Sequence, residues 1–194
     1  AQHIPEFGYT SEPEHTQAYL WPVVQRLAGP LEHGTRVLDI GSGNGSMAVL
    51  LTERGCTVVG VDPSEQGVAQ AQQRNLPNAR FERGLATKEL LSELGEEPFD
   101  LVVSTEVVEH LYAPRDWAAC AFSALKPGGA LICSTPYHGY LKNLTLALTG
   151  KLDNHFTALW DGGHIKFWSP RTLSQLLTEA GFTQTAWKGA GRFG

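Results

Sequence analysis

The chain has 194 residues, of which 42% are hydrophobic, and a formal net charge of −5. That length suits a single domain over residues 1–194, with a core large enough to need no cross-links. The acidic balance weighs against a nucleic-acid partner, and no apolar run approaches the ~20 residues of a membrane span. Three cysteines without a recognisable spacing predict reduced thiols and a cytoplasmic location.

Short apolar or β-branched runs alternate with longer segments of helical period along the chain. This alternation predicts an α/β fold with a Rossmann-like, mostly parallel sheet and helices on both faces. The predicted strands cover residues 36–40, 57–61, 79–83, 99–104, 130–135 and 182–187. The predicted helices between them cover residues 46–53, 65–74, 87–94, 115–125 and 170–180. The residues after 187 are too few and too glycine-rich for a further hairpin, so we expect either a sheet lacking its last strand or a truncated chain.

Two stretches interrupt the alternation. An N-terminal segment over residues 1–34 contains an amphipathic helical pattern around 15–27. Residues 136–168 form a long insertion rich in rings: Tyr137, His138, Tyr140, His155, Phe156, Trp160, His164, Phe167 and Trp168. Open α/β sheets bind ligands beyond the carboxyl ends of their strands, so we expect this insertion on the substrate side. The alternative is a surface covering with an aromatic underside.

The sequence GSGNG at 41–45 follows the first predicted strand and leads into a helix. Glycines allow a sharp turn and the close approach of a ligand, and the helix start favours a carboxylate or phosphate. Asp62 closes the second strand, where a carboxylate can accept both hydroxyls of a ribose. The third glycine of the dinucleotide fingerprint is replaced by Ser46, which disfavours NAD.

Four motifs follow one another in order: VLDIGSGNG at 37–45, VGVDPS at 59–64, FDLVVSTEVVEHL at 99–111 and LKPGGALI at 125–132. Together they closely resemble the motifs of class I S-adenosylmethionine-dependent methyltransferases, over about residues 35–135. The resemblance implies the class I methyltransferase fold, methyl transfer as the activity and S-adenosylmethionine as the cofactor.

The resemblance also implies cofactor contacts along the methionine, ribose and adenine portions, at Gly41, Ser42, Gly43, Asp62, Pro63, Leu85 and Thr105. Asp62 is implied to hold the ribose hydroxyls, and Pro63 to flank the adenine. Leu85 stands where many relatives have an acid that contacts the adenine amine, so we expect apolar or backbone contacts there. Relatives often bind the cofactor carboxylate with an arginine, a role left here to Tyr9, His15 or Tyr19.

Glu106, Glu109 and His110 follow the fourth predicted strand at offsets of three and four. In a helix, this spacing places all three on one face. The pattern resembles the O-methyltransferases of ubiquinone biosynthesis and the small-RNA 2′-O-methyltransferases, which implies a divalent metal such as Mg²⁺. His155 or His164 could add a ligand. The alternative is a metal-free site in which the Glu-His pair orients the cofactor or the substrate.

Methyl transfer from a sulfonium requires alignment of the nucleophile and removal of its proton, for which imidazole has a suitable pKa. The candidate bases are His110 and His164, with His138 as a third. The leading hypothesis is O-methylation of a small hydroxyl-bearing or phenolic metabolite. The alternatives are an RNA 2′-O-methyltransferase, weakened by the acidic balance, and a non-catalytic domain that binds a cofactor or a partner, weakened by the intact glycine turn.

Overall fold

A computed structural model describes residues 15–156, 159 and 162–190, with side chains from residue 17 onward. Within these residues, five strands form one sheet: β1 Arg36–Ile40, β2 Thr57–Asp62, β3 Ala79–Arg83, β4 Phe99–Thr105 and β5 Leu125–Ser134. Their order is β3-β2-β1-β4-β5, and every neighbouring pair is parallel. The predicted α/β class with a parallel sheet is confirmed.

Eight helices accompany the sheet in the described residues: α1 His15–Ala28, α2 Ser46–Thr52, α3 Glu65–Gln73, α4 Leu90–Leu94, α5 Pro114–Ser123, α6 Tyr140–Leu148, α7 Leu152–Phe156 and α8 Pro170–Ala180. Side-chain caps fix two of their starts. The Ser64 hydroxyl accepts a hydrogen bond from the Gly67 N–H at 2.9 Å, and Ser169 forms a reciprocal capping box with Thr172 ahead of α8. None of the described helices is long and apolar enough to cross a membrane.

The strands bury side chains on both faces of the sheet. On one face, Leu38 and Val102 pack against Trp117 of α5 and Leu173 of α8. On the other face, a second core contains strand residues such as Val58 together with side chains from α1, α2 and α3. Near-continuous apolar strands are typical of a parallel sheet covered on both sides. Helices therefore cover both faces, as predicted.

Two predicted boundaries need correction around β5. The predicted helix 115–125 ends at Ser123, and the predicted strand 130–135 begins earlier, at Leu125, and ends at Ser134. Leu125 pairs with Phe99, but the next pair joins Ala130 to Leu101, so the residues between them bulge out of register. A proline and two glycines in this bulge leave the ladder hydrogen bonds incomplete without breaking the strand. The predicted helix 87–94 also begins later, at Leu90.

The prediction of a sixth strand over 182–187 is wrong. Only Phe182 in this segment is partly buried, where it packs edge-on against Phe122 with the ring centroids 5.2 Å apart. The Trp187 indole N–H donates to the Ser174 hydroxyl of α8 at 3.2 Å. The segment therefore runs along α8 and pairs with no strand of the sheet.

Candidate functional site

Nine buried side-chain polar atoms of the described residues have no hydrogen-bond partner and lie at or just beyond the carboxyl ends of β1, β4 and β5. They belong to Asp39, Ser42, Glu109, Thr135, His138 and Asn143. Leaving such an atom without a partner costs about 1–3 kcal/mol, so most buried polar groups in native proteins are paired. Their concentration at the edge where open α/β sheets bind ligands marks this edge as the candidate site.

The glycine turn lies at the centre of this edge. Gly41, Gly43 and Gly45 have φ angles of 80°, 49° and 78°, in the left-handed region that favours glycine. A Cβ at Gly41 would overlap the Val107 side chain, which follows β4. The turn is fixed to β2, since the Gly41 N–H donates to the Val61 carbonyl at 2.8 Å. The predicted glycine turn is therefore formed and packs directly against the chain beyond β4.

Asp62 ends β2 with its carboxylate buried beside this turn. One carboxylate oxygen accepts from the Gly43 N–H at 2.9 Å, and the other accepts from the Ser64 N–H at 2.8 Å. A carboxylate only accepts hydrogen bonds, through about four acceptor sites, so its chemistry suits the hydroxyl donors of a ribose. The arrangement is compatible with the predicted ribose contact.

Asp39 also lies at this edge of the sheet, although it was not among the residues predicted to form the site. It lies in β1, fully buried, and neither carboxylate oxygen has a hydrogen-bond partner. Burial, with a smaller contribution from Asp62, raises the pKa of Asp39 to about 7. A charged residue between the buried apolar side chains of Leu38 and Ile40 is the signal that could have identified it. A buried carboxylate in this position would be stabilised by a cationic ligand.

Arg74 is a second residue that the motifs did not reveal. It follows α3, and its Nε donates to the Asn44 carbonyl of the turn at 2.5 Å. Its Nη2 donates to the Ser46 hydroxyl at 3.3 Å. The Asn44 side-chain oxygen in turn accepts from the Ser46 N–H at 3.1 Å. These bonds brace the outer side of the glycine turn across 30 residues of sequence, a separation that no local pattern encodes.

The two predicted adenine contacts lie together beyond β2 and β3. A surface depression of about 370 Å³ is lined by Pro63, Arg83, Gly84, Leu85, Thr87 and Glu93. Leu85 is half exposed there, which leaves its side chain available to an apolar ring. Thr105 lies at the end of β4, and Tyr19 is exposed on α1. Tyr9 and the His15 side chain lie outside the described residues.

The expectation that Glu106, Glu109 and His110 share one helix face is wrong. Glu106 has a left-handed φ of 56° and precedes a single 3-10 turn over Val108–His110. Its carboxylate accepts from the Ser134 hydroxyl at 2.7 Å, on β5. The chain leaves β4 through a tight turn, so the offsets of three and four do not have their helical meaning.

A different trio comes together: Glu109, His110 and His164 each present a ligand atom within 4.8 Å of the others. The Glu109 carbonyl accepts from the N–H groups of Ile165 and Lys166, each at 2.9 Å, which holds the insertion against the turn. The rings of His110 and His164 meet edge-on with centroids 4.9 Å apart. One carboxylate and two imidazoles form a donor set suited to a divalent metal of the first transition row.

Burial controls the protonation of this trio. Burial, followed by the nearby Glu106 carboxylate, raises the pKa of Glu109 to about 8. Burial, followed by His110, lowers the pKa of His164 to about 4, and burial also lowers the pKa of His110. Without a ligand, both imidazoles are therefore neutral near pH 7, the form in which histidine accepts a proton or binds a metal.

A cluster of rings from the insertion lies beyond β5. The His138 ring meets Phe167 edge-on at 4.9 Å and stacks on Phe156 at 6.0 Å. His155 lies 5.9 Å from His138 by ring centroids. The Trp168 indole N–H donates to the Val108 carbonyl at 3.2 Å, beside the trio. The insertion thus contributes an apolar, aromatic wall and His164 to the same edge of the sheet.

The fold and the glycine turn define a cofactor-binding α/β domain, and comparisons with known proteins specify it further. A family model described as a methyltransferase domain matches residues 13–186. The chain belongs to this methyltransferase-domain family.

Curated relatives include the ubiquinone biosynthesis O-methyltransferase of Dinoroseobacter shibae, which is 36% identical over 169 residues. That alignment covers 80% of this chain and 63% of the relative, so the chain spans less than two thirds of the relative's length. The mitochondrial ubiquinone biosynthesis O-methyltransferase of Homo sapiens is 30% identical over 158 residues, with 77% of this chain and 42% of the relative covered.

Solved structures agree on the fold. A SAM-dependent methyltransferase from Archaeoglobus fulgidus superimposes with a TM-score of 0.65 and 24% identity, covering 84% of this chain and 68% of that one. Phosphoethanolamine N-methyltransferase 2 of Haemonchus contortus, in complex with S-adenosyl-L-methionine, gives a TM-score of 0.60 and 22% identity, covering 84% and 36%. The predicted class I methyltransferase fold is therefore confirmed.

Proposed function

We propose that the chain is an S-adenosylmethionine-dependent methyltransferase that O-methylates a small hydroxyl-bearing or phenolic acceptor. The observation that carries this proposal is that two chemically different groups of residues lie side by side at one edge of the sheet, a cofactor half and an acceptor half. The glycine turn, Asp39 and Asp62 form a half suited to a cationic nucleoside. Glu109, His110 and His164 form a half suited to a hydroxyl. Val107, which touches Gly41 and precedes the trio, joins the two halves.

The cofactor half matches the charges of S-adenosylmethionine, which has a sulfonium and an ammonium on one side and a ribose in the middle. We assign Asp62 to the ribose hydroxyls, and Gly41, Ser42 and Gly43 to the portion beside the turn. Pro63 and Leu85 flank the adenine, and Thr105 lies beside the methionine part. Asp39 is buried without a hydrogen-bond partner, so a nearby positive charge would offset the cost of its burial.

The acceptor half fits a divalent metal, because the two Glu109 oxygens have no hydrogen-bond partner and two neutral imidazoles lie within reach. We assign Glu109, His110 and His164 as ligands, with Glu106 outside this group through its contact with Ser134. A bound cation would lower the pKa of the acceptor hydroxyl. Without a metal, His110 would accept the hydroxyl proton directly, because its imidazole is neutral near pH 7, whereas a pKa of about 4 makes His164 the weaker base of the two.

The proposed class of acceptor rests on the insertion and on the curated relatives. The aromatic wall of His138, Phe156 and Phe167 suits an acceptor with a ring. The relatives are named for O-methylation in ubiquinone biosynthesis. The free cysteines Cys56, Cys120 and Cys133 support a cytoplasmic location.

The test is turnover of methyl-labelled S-adenosylmethionine against a panel of phenols, amines and short RNAs, with and without a chelator. We expect label in a phenol, loss of product with Glu109→Gln, and inhibition by the chelator if the trio binds metal. Label in RNA alone would overturn the small-molecule assignment. Cofactor binding without turnover of any acceptor would favour a non-catalytic domain.

A further inference from the structure

The chain leaves β4 through Glu106, whose backbone conformation is unfavourable for a glutamate. Its φ of 56° lies in the left-handed region, which only Asn75 shares among the other non-glycine residues that the structure describes. There the Cβ of an L residue comes close to the following carbonyl oxygen, and glutamate is not among the residue types that commonly tolerate this. Strained residues persist only where their surroundings hold them, and they cluster at functional sites. Glu106 therefore depends on its neighbours to keep this conformation.

Ser134, the last residue of β5, makes the contacts that hold Glu106. It pairs with Thr105 in the last register position of the sheet. The Glu106 N–H donates both to the Ser134 carbonyl and to the Ser134 hydroxyl oxygen, each at 3.1 Å. The same hydroxyl donates to the Glu106 carboxylate at 2.7 Å. Because a hydroxyl can donate and accept at once, one serine side chain binds both the backbone and the side chain of Glu106. We call this pair the Ser134–Glu106 clamp.

The residues directly after Glu106 belong to both halves of the candidate site. Val107 packs against Gly41 so closely that a Cβ at Gly41 would overlap it. The His110 N–H donates to the Val107 carbonyl at 2.9 Å, which closes the 3-10 turn that contains Glu109. A different φ at Glu106 would move this turn relative to the sheet. The conformation of Glu106 therefore sets the placement of the acceptor half against the glycine turn.

We propose that the Ser134–Glu106 clamp positions the site for methyl transfer. Ser134 holds Glu106 in the left-handed conformation, and this conformation aligns the acceptor half with the cofactor half. In this role neither side chain binds a metal or takes the proton of the acceptor hydroxyl. The proposal rests on the proposed function and adds two positioning residues to it.

The alternative is that the Glu106 carboxylate is itself a metal ligand, as the spacing of the three residues in the sequence suggested. Among the described residues, the ligand atoms that meet within 4.8 Å belong to Glu109, His110 and His164. One Glu106 oxygen instead accepts from Ser134. A carboxylate ligand acts through its negative charge, whereas the clamp requires only an oxygen that accepts from the hydroxyl. Glutamine in place of glutamate therefore separates the two roles.

The experiment is methyl transfer to a phenol at saturating S-adenosylmethionine and acceptor. Ser134→Ala removes the hydroxyl, and Glu106→Asn withdraws the side-chain oxygen by one methylene while tolerating the left-handed φ. Both should lower kcat about 10- to 100-fold with a smaller change in KM, because a misplacement of about 1 Å costs about 100-fold in rate. Ser134→Thr and Glu106→Gln keep a hydroxyl and an accepting oxygen, and should stay within about threefold of the parent.

Two further variants control this comparison. The double variant Ser134→Ala/Glu106→Asn should be no slower than the slower single variant, because both changes remove the same hydrogen bond. Ser123→Ala removes an exposed hydroxyl that donates to the Cys120 carbonyl at the end of α5, and it should leave kcat unchanged. Circular dichroism and thermal unfolding verify that each variant is folded under the assay conditions.

Nuclear magnetic resonance of the histidine rings gives a readout that needs no turnover. The ring signals of His110 and His164 should shift in Ser134→Ala and Glu106→Asn, and should keep the parent's positions in Ser134→Thr and Glu106→Gln. If the clamp only stabilised the fold, the disrupting variants would lower the unfolding temperature and leave kcat and these signals unaltered. That result would overturn the proposal and leave the proposed function standing.

Two other outcomes separate the remaining possibilities. If Glu106→Gln were as slow as Glu106→Asn while Ser134→Ala matched the parent, the clamp would be refuted and Glu106 would be assigned as a ligand. A parent that methylates no acceptor would refute the proposed function. Histidine signals that followed the expected pattern in that case would still support placement of the acceptor half by the clamp.

Discussion

Gly41→Ala should destabilise the chain through two effects that the structure allows us to separate. An L side chain at a φ of 80° costs about 1–2 kcal/mol. The new Cβ would also overlap the Val107 side chain, and overpacking of this kind costs about 1–3 kcal/mol. The free energy of unfolding should therefore fall by about 2–5 kcal/mol, a large fraction of the ~5–15 kcal/mol of a typical domain.

Gly34→Ala is the matched control. Gly34 has a similar φ of 87°, but a Cβ there would meet no atom within 4 Å. This variant should cost only the backbone strain, about 1–2 kcal/mol, and the entropy that alanine removes from the unfolded chain is common to both variants. The double variant Gly41→Ala/Val107→Ala should cost about 1–3 kcal/mol less than the sum of its single substitutions.

Urea unfolding, followed by circular dichroism, measures all four variants. If Gly41→Ala and Gly34→Ala lost the same stability within about 0.5 kcal/mol, the close contact between Gly41 and Val107 would be refuted. Additivity of Gly41→Ala and Val107→Ala would refute it independently.

Three further outcomes test the cofactor half and the buried acids. Asp62→Ala should weaken S-adenosylmethionine binding about 10- to 100-fold by calorimetry, since a charge-assisted hydrogen bond contributes about 1.5–3 kcal/mol, and unchanged affinity would exclude the ribose contact. Arg74→Gln should weaken S-adenosylmethionine binding about three- to tenfold without changing the rate of methyl transfer at saturating cofactor, and Arg74→Lys should recover part of the lost affinity. A lower methyl-transfer rate with unchanged affinity would contradict a role of Arg74 in bracing the turn. The folded state raises the pKa values of Asp39 and Glu109 from 3.8 and 4.5 to about 7 and 8, so their contribution to stability is present below about pH 4 and is lost as the pH rises through 7 and 8. In chelator-treated protein, the free energy of unfolding of the double variant Asp39→Asn/Glu109→Gln should fall less steeply with rising pH than that of the parent. Equal slopes for the variant and the parent would contradict the raised pKa values of the two acids.

The parallel sheet was predictable because each buried strand corresponds to a short apolar run in the sequence. β1 and β2 were expected within one residue of their observed ends, since turn residues and a cap lie on either side of apolar runs. The segment 182–187 was also predicted as a strand, but its contacts are with helices: Phe182 packs against Phe122 of α5, and Trp187 bonds to Ser174 of α8. Alternation alone could not distinguish a strand from an extended segment along a helix.

Some residues of the candidate site were likewise predictable from the sequence, and others were not. Gly41 and Asp62 were predictable because they sit at the ends of strands, where the backbone fixes their position. The trio of Glu109, His110 and His164 could not be assembled from spacing, since the left-handed turn at Glu106 and the return of the insertion are tertiary features. No sequence pattern indicated Arg74, because two helices and a strand separate it from Asn44, whose carbonyl accepts its hydrogen bond.

We have proposed that the glycine turn and the two buried aspartates, Asp39 and Asp62, form a site for S-adenosylmethionine. The most direct test is calorimetric titration of the chain with S-adenosylmethionine and, separately, with NAD. We predict one molecule of S-adenosylmethionine bound per chain, weaker binding to Asp62→Ala, and no binding of NAD. Saturable binding of NAD, or no heat of binding from S-adenosylmethionine to the folded chain, would contradict an S-adenosylmethionine site at this turn.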